Sequence, residues 1–176
     1  PRGIIINTAD MLAFVANFNS GTLTRVVLAT NTSTSVAIGA GANQIVINAA
    51  NTRAYITASI ANTLSLVDIT TTPPSVIQTI ALGDNPAGIS LTPDEQRAYV
   101  TNINSNTISI VDTSNPNTIS VIETIVGTFT NPLGVAINPN GTQAFVVNST
   151  INTERGISII DIATNAVVRE ITELTL

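Results

Sequence analysis

Polar side chains that could bind a ligand recur where short apolar runs begin or end. Asp84, Asn85 and Asn131 precede such runs. Asn102 ends one run, and Asn104 lies in the loop between that run and the next. Carboxylate and amide oxygens can ligate a divalent cation such as calcium, although the same residue types are common in turns. Because Asp84 is the only acid in these positions, we predict no metal and no other cofactor. We interpret the set as a binding surface for a protein or glycan partner.

Nucleophilic catalysis requires residue types that this chain lacks. The 176 residues contain no His and no Cys, and no Ser stands in a GxSxG turn. Without imidazole the usual Ser-based triad cannot form, and a haem has no His ligand. We therefore predict no catalytic residues, and an enzymatic role stays open only through a polar or metal site of another kind.

Charge and hydropathy exclude two further classes of partner. The formal net charge is -5, and the six basic residues are all Arg, so there is no basic stripe that could follow a phosphate backbone. No run approaches the roughly 20 apolar residues of a membrane-spanning helix. We predict neither nucleic-acid binding nor membrane insertion.

An internal repeat organises the whole chain. The segment AFVAN around Phe14 returns as AYITA around Tyr55, AYVTN around Tyr99 and AFVVN around Phe145. An apolar residue of another short run lies ten residues before each aromatic. Two further apolar runs follow the aromatic in every repeat, such as TISIVD and VIETI in the third. Each repeat therefore contains four short apolar runs.

These runs have the character of β-strands. They are rich in Ile, Val and Thr, and turn segments such as TPDEQ and NPNGT separate them. Several are apolar at consecutive positions, which is typical of sheets covered on both faces. We predict an all-β chain, a β-propeller built from four-stranded antiparallel blades, with residues 1–176 forming one propeller domain or propeller segment. The predicted blades span approximately residues 1–38, 39–80, 81–125 and 126–171.

The repeat resembles a known family. AYVTN, with the preceding NPAGISLTPD and the following TISIVD, is similar to the YVTN repeat of β-propellers in surface-layer and other extracytoplasmic proteins. The resemblance covers essentially the whole chain and is weakest in the first repeat. It implies a propeller at the cell surface or outside the cell. Related propellers include structural surface proteins and lactonase-like enzymes, so the resemblance leaves the activity open.

Strand parity predicts which loops lie together. In an antiparallel four-stranded blade, the segment before the first strand and the loop between the second and third strands lie at one end. We call this end the leading face; it contains GAGAN, LGDNP, TFTNP and NINSN. The fourth repeat has a longer loop there, and we predict that Glu154 and Arg155 in this loop contact the partner. Asp68, Asp112 and Asp161 fall at the opposite end, where we expect each carboxylate to accept backbone hydrogen bonds from the following turn.

Two functions are compatible with these observations. The first is a non-enzymatic, extracellular or cell-surface module that binds a protein or glycan at the leading face. The second is a lactonase-like propeller hydrolase with a polar or metal site at the channel mouth. In either case an open set of four blades would expose apolar sheet faces around Ile4 and Phe14 and around Val146 and Ile159. We therefore expect further blades from a longer chain or from a second copy.

Overall fold

The computed structural model describes residues 1–7, 10–127, 129–149 and 155–172, and in these residues the chain is all-β. Sixteen strands in these described ranges form four separate four-stranded antiparallel sheets, each of which contains one sequence repeat. The predicted propeller-blade architecture is confirmed. The part of the chain that the structure describes contains no helix with the length and hydropathy needed for a membrane span.

We number the sheets as blades 1 to 4 in chain order. Blade 1 comprises β1 (Gly3–Asn7), β2 (Leu12–Asn17), β3 (Thr22–Val27) and β4 (Thr32–Ala37). Blade 2 comprises β5 (Ala42–Ile47), β6 (Arg53–Ala58), β7 (Thr63–Asp68) and β8 (Ser75–Ala81). Blade 3 comprises β9 (Pro86–Leu91), β10 (Arg97–Asn102), β11 (Thr107–Asp112) and β12 (Ser120–Val126). Blade 4 comprises β13 (Pro132–Ile137), β14 (Gln143–Ser149), β15 (Arg155–Asp161) and β16 (Ala166–Ile171).

The strands of each blade follow one another in space as they do along the chain. The order in blade 3 is β12-β11-β10-β9, and the other blades have the same meander. The third strands of blades 2 and 3 are buried at four consecutive positions, from Leu64 to Val67 and from Ile108 to Val111. Side chains that alternate between the two faces of a sheet can all be buried only if both faces are covered. The runs TLSLVD and TISIVD, which are apolar at three of these four positions, thus have the predicted explanation.

The chain divides into two compact units, one of Pro1–Ala81 with Pro116–Ile119 and one of Leu82–Asn115 with Ser120–Leu176. The first unit has a core between blades 1 and 2, in which Phe14 and Leu23 of blade 1 pack with Ile45, Ile56 and Val67 of blade 2. That residues 1–176 form one propeller domain or propeller segment stays a prediction.

Residues 116–119 attach to the first unit through two side chains of blade 2. The Arg53 guanidinium donates to the Pro116 carbonyl at 2.7 Å and to Asn117 Oδ1 at 3.1 Å. Gln78 exchanges two hydrogen bonds with the Ile119 backbone, at 3.0 and 2.7 Å. Arg53 also forms an ion pair with Asp68 at 3.4 Å. These contacts explain why a segment of the β11–β12 connection belongs to the unit of blades 1 and 2.

The second unit repeats this packing between blades 3 and 4. Tyr99, Ile108 and Ile110 of blade 3 contact Val146 and Ile160 of blade 4 in one apolar cluster. Thr101 Oγ1 donates to the Leu133 carbonyl at 3.0 Å and links the second strand of blade 3 to the first strand of blade 4. Each pair of consecutive blades within a unit is therefore held by an apolar interface, and the interface of blades 3 and 4 also contains a partly buried polar contact.

The repeated aromatic residue packs as predicted in three blades of four. Phe14, Tyr55 and Tyr99 are at most 3% exposed. In the first and second units respectively, Phe14 and Tyr99 contact the following blade. Phe145 differs, since it is only half-buried. For Phe14 and Tyr99, the repeat position directs the aromatic toward the next blade of the same unit.

Candidate functional site

The predicted binding residues of blade 3 meet at one end of the second unit. Asp84 and Asn85 precede β9, and Asn104 lies in the β10–β11 turn. The Asn104 amide donates to Asp84 Oδ2 at 3.2 Å, and the Asn85 amide donates to Asn104 Oδ1 at 3.3 Å. The three side chains thus form a chain of hydrogen bonds at the surface, in which the Asp84 carboxylate accepts from an amide.

Backbone contacts hold the two segments of this cluster together. The Asp84 N–H donates to Ser105 Oγ at 2.6 Å, and the Asn104 N–H donates to the Asp84 carbonyl at 3.2 Å. The Ile103 N–H donates to the Asn85 carbonyl at 3.0 Å. Because the main chain itself joins the two loops, the side chains of Asp84 and Asn104 are positioned before any ligand arrives.

Backbone geometry favours asparagine at several of these positions. Asn85, Asn106 and Asn131 have φ values of 57°, 54° and 45°, in the left-handed region. Asn tolerates this conformation because its short polar side chain can bond locally. The Asn106 side chain also reaches a distant segment, since its Oδ1 accepts the Asn131 N–H at 2.8 Å. Asn106 thereby places Asn131, which precedes blade 4, beside the β10–β11 turn of blade 3.

Asn102 lies beneath this surface and is fully buried. Its amide donates to Thr107 Oγ1 at 3.0 Å and to Ser109 Oγ at 2.9 Å, so it fastens the end of β10 to β11. Asn102 Oδ1 accepts no hydrogen bond from the described residues. A Cβ atom at Gly83 would lie 2.7 Å from Asn102 Cγ, so the chain leading to Asp84 passes directly over this amide. Asn102 supports the cluster from below, and its direct role in binding stays a prediction.

The chemistry of the cluster is that of amides and hydroxyls around one carboxylate. Asp84, Asn104, Ser105 and Asn106 are exposed, and Asn85 and Asn131 are half-buried. Nowhere in the described ranges do three His, Cys, Asp or Glu side chains come together in a group that could hold a metal ion. The cluster offers paired donors and acceptors rather than a concentrated charge.

Two residues of this surface were not predicted from the sequence. Ser105 and Asn106 belong to the NINSN segment, and both bind the neighbouring loop. The left-handed backbone of Asn106 is seen only in the structure. The signal that the sequence offers for it is an Asn in a turn. Of the remaining predicted residues, Glu154 lies outside the described residues. Arg155 begins β15, and its side chain is likewise outside the description.

Carboxylates at the opposite end have the predicted turn-forming role. Asp68, Asp112 and Asp161 accept backbone N–H bonds from Thr70, Ser114 and Thr164, each at 2.9 Å. The hydrogen bonds from Ser114 lower the pKa of Asp112, and those from Thr164 lower the pKa of Asp161. Burial opposes the charge of Asp68, but the bonds from Thr70 and the Arg53 charge outweigh it and lower that pKa as well. These acids stabilise turns and are spread over three blades.

Two concave regions of the second unit lie away from the amide cluster. A shallow groove of about 580 Å³ separates the outer strands β12 and β16 and is lined by Val126, Gly127, Asn165 and Arg169 among others. A cavity of about 160 Å³ at the opposite end is lined by Asp94, Arg97 and Asn140 among others. Neither region includes Asp84 or Asn104. The amide cluster is thus distinct from both of these depressions.

Four repeats, each folded as a four-stranded antiparallel meander, define the chain as built from β-propeller blades. No protein-family model and no curated protein matches it. Among solved structures, the chain is similar to hydrazine synthase of Kuenenia stuttgartiensis, with 25% identity and a TM-score of 0.87 over 98% of this chain and 49% of that one. It is also similar to a putative 6-phosphogluconolactonase of Bacteroides uniformis, with 18% identity and a TM-score of 0.81 over 97% and 54% of the two chains.

A third similar structure is the periplasmic gluconolactonase of Pseudomonas aeruginosa, at 14% identity and a TM-score of 0.80 over 97% of this chain and 52% of that one. The chain spans about half the length of each of these proteins. The structural similarity to the two lactonases supports the propeller fold. Because the identities are low, it supports nothing finer.

Proposed function

We propose that this chain is a non-enzymatic, extracellular or cell-surface β-propeller module, of the YVTN-repeat type, that binds a glycan through the leading face of its second unit. The observation behind the proposal is the hydrogen-bonded series Asp84, Asn104 and Asn85, in which Asp84 and Asn104 are exposed and which backbone hydrogen bonds hold in place. Amide and carboxylate groups placed side by side match the adjacent hydroxyls of a sugar, each of which donates and accepts.

The low charge of the chain supports the same ligand class. Only 10% of its residues are charged, and Asp84 is the only acid among the predicted binding residues of blade 3. A hydroxyl-rich neutral ligand gains hydrogen bonds here without the desolvation of a second charge. A protein partner is the competing possibility, and it would require apolar anchor residues at the centre of the contact.

A lactonase-like hydrolase is the second candidate function. Its support is the fold shared with the two lactonase structures, together with the Asp84 carboxylate at the leading face. The described cluster supplies no general base of the imidazole type, since the chain has no His. A hydrolysis assay separates the two functions. The purified chain is incubated with glucono-δ-lactone in a weakly buffered solution, and the release of protons is measured. We expect the rate to equal that of the buffer alone.

The binding proposal is tested by equilibrium binding to immobilised glycans. The 176-residue chain is applied to an array of neutral and acidic bacterial polysaccharide fragments. We expect saturable binding to a subset of the neutral fragments. An array without any saturable binding, combined with lactone hydrolysis above the buffer rate, would favour the hydrolase instead.

A further inference from the structure

Blade 1 carries a charged side chain on the face that packs against blade 2. Arg25 on β3 lies directly opposite Phe14 on β2, so both side chains project from the same face of the sheet. Phe14 belongs to the core between the two blades. Leu23 and Val27, two positions before and after Arg25 on that face, are respectively part of this core and packed against it. Arg25 is thus flanked by core residues along its strand and across it.

The same position is apolar in the other three blades. The residues opposite the repeated aromatic on the third strand are Leu66, Ile110 and Ile159, and all three are buried. An apolar side chain at this position is therefore sufficient for a blade, and Arg25 departs from the pattern of its own repeat. Such a departure from a local rule is typical of functional positions.

Arg25 lacks the partners that a cation in a protein interface normally has. The residue is half-buried, and its Nε is enclosed without donating a hydrogen bond to any described residue. No acid in the described ranges forms an ion pair with Arg25, in contrast to Arg53, which pairs with Asp68. Partial burial of an unpaired charge lowers stability. Nothing in the described packing offsets this cost.

The neighbouring strand supplies a second polar atom without a partner. Thr34 on β4 lies directly opposite Arg25, so the two side chains are adjacent on the face toward blade 2. Thr34 Oγ1 is enclosed and forms no hydrogen bond with the described residues. A guanidinium and a hydroxyl that both lack partners therefore lie side by side.

The residues equivalent to Thr34 in blades 2 and 3 do have partners. Gln78, opposite Leu66, exchanges two hydrogen bonds with the Ile119 backbone. Glu123, opposite Ile110, accepts the Asn165 amide at 2.6 Å. In these two blades the fourth strand thus binds a group from outside the blade at this position. Blade 1 has the donors for such a contact without a group that accepts from them.

We propose that Arg25 and Thr34 form a binding site for the carboxylate of a small organic acid, at the outer side of the interface between blades 1 and 2. The planar guanidinium carries parallel N–H donors that match the two oxygens of a carboxylate, and the threonine hydroxyl adds a further donor. The bound acid would also neutralise the unpaired charge. Because Arg25 Nε and Thr34 Oγ1 are covered by protein, side chains must shift slightly to admit a ligand, which favours a small acid. The site lies within the first unit and is independent of the proposed glycan site.

The first test follows the arginine Nε–H signals by NMR during titration with acetate, at mildly acidic pH where acetate stays ionised. The chain has six Arg, so these signals are few, and the signal that is missing in Arg25→Leu identifies Arg25. We expect a saturable shift of this signal with acetate and none with chloride at the same ionic strength. Arg169, an exposed cation of blade 4, is the internal control and should show no saturable shift. An Arg25 signal that stays in place, or that moves equally with both salts, would overturn the proposal.

The second test compares variants in thermal melts with acetate and with chloride. Arg25→Leu introduces the residue of blade 2 and should melt no lower than wild type in chloride, because it removes an unpaired charge. Acetate should raise the midpoint of wild type, and this rise should be lost in Arg25→Leu. Thr34→Val should reduce the rise, whereas Ser33→Ala, on the opposite face of β4, should leave it unchanged. A lower midpoint for Arg25→Leu in chloride, or an acetate effect that survives in this variant, would show that Arg25 has a structural role instead.

Discussion

Tyr99 and Asn165 join the second strand of blade 3 to the β15–β16 turn of blade 4. The Tyr99 hydroxyl donates to Asn165 Oδ1 at 2.6 Å, and the Asn165 amide donates in turn to Glu123 Oε2 at 2.6 Å. Burial raises the pKa of Tyr99, so the hydroxyl keeps its proton and acts as the donor. The largest aromatic of the second core is therefore oriented by a polar contact across a blade interface.

This contact can be measured in a double-mutant cycle. Tyr99→Phe should lower the free energy of unfolding by about 1 kcal/mol, since it removes one partner of a hydrogen bond and leaves the ring in place. Asn165→Gly is a suitable second substitution, because Asn165 has a φ of 55° that glycine adopts without strain. We expect a coupling of about 0.5–1.5 kcal/mol between the two positions in urea unfolding. Strictly additive effects would show that the bond contributes nothing to stability.

The close approach of blades 3 and 4 gives a second stability prediction. Gly88→Ala places a Cβ atom 2.7 Å from the Leu133 carbonyl oxygen, and the backbone there must move. We expect a loss of about 1–3 kcal/mol in the free energy of unfolding. Gly127→Ala is the control, because its Cβ atom would make an ordinary 3.6 Å contact with the Phe129 ring. Equal stabilities of the two variants would contradict the described interface.

Acidic pH should weaken the turns that aspartate holds. Hydrogen bonds from Thr92 and Gln96 lower the pKa of Asp94, and those from Ser114 lower the pKa of Asp112, from an ordinary value of 3.8. A pKa lowered by folding contributes stability above that ordinary value, and the contribution is lost as pH falls through the folded-state pKa. Asp94→Asn/Asp112→Asn should therefore be less stable than wild type at pH 7, and the difference should shrink below about pH 4. Urea unfolding at several pH values measures it; a constant difference would count against the prediction.

A metal-independent fold is also expected. The described residues contain no group of three His, Cys, Asp or Glu that could hold an ion, and the turns at Asp68, Asp112 and Asp161 are closed by protein hydrogen bonds. Thermal melts with calcium and with EDTA should give the same midpoint. A shift of several degrees with calcium, lost in Asp84→Ala, would instead place an ion at the leading face.

Most of the blade structure follows from local sequence periodicity. The ten-residue offset between Ile4 and Phe14 predicts the first two strands of a blade, and the observed pairing of Ile4 with Val15 agrees with it. Runs dense in apolar residues predict burial on both faces, as at Ile108 to Val111, where Ser109 is buried together with its three apolar neighbours. Periodicity succeeds here because a strand and its turn are decided within one repeat.

Other features depend on contacts between distant segments and were not predictable in this way. Phe145 in AFVVN and Phe14 in AFVAN have similar local sequences, but Phe14 packs in the core with blade 2 and is fully buried, whereas Phe145 is half-buried. The bond from Arg53 to the Pro116 carbonyl joins residues 63 positions apart. At the candidate site, the meeting of Asp84 with Asn104 follows from strand parity. The burial of Asn102 under Gly83 and the left-handed backbone of Asn106 required the structure.

The glycan array with matched variants tests the proposed binding function most directly. Asp84→Ala/Asn104→Ala removes the centre of the hydrogen-bonded series, and Asn140→Ala removes an exposed amide from the opposite end of the same unit. We predict that wild type and Asn140→Ala bind the same neutral fragments, whereas the double variant binds them at least about tenfold more weakly with an unchanged melting temperature. Equal binding by all three proteins, or no binding by any of them, would contradict a glycan site at Asp84 and Asn104.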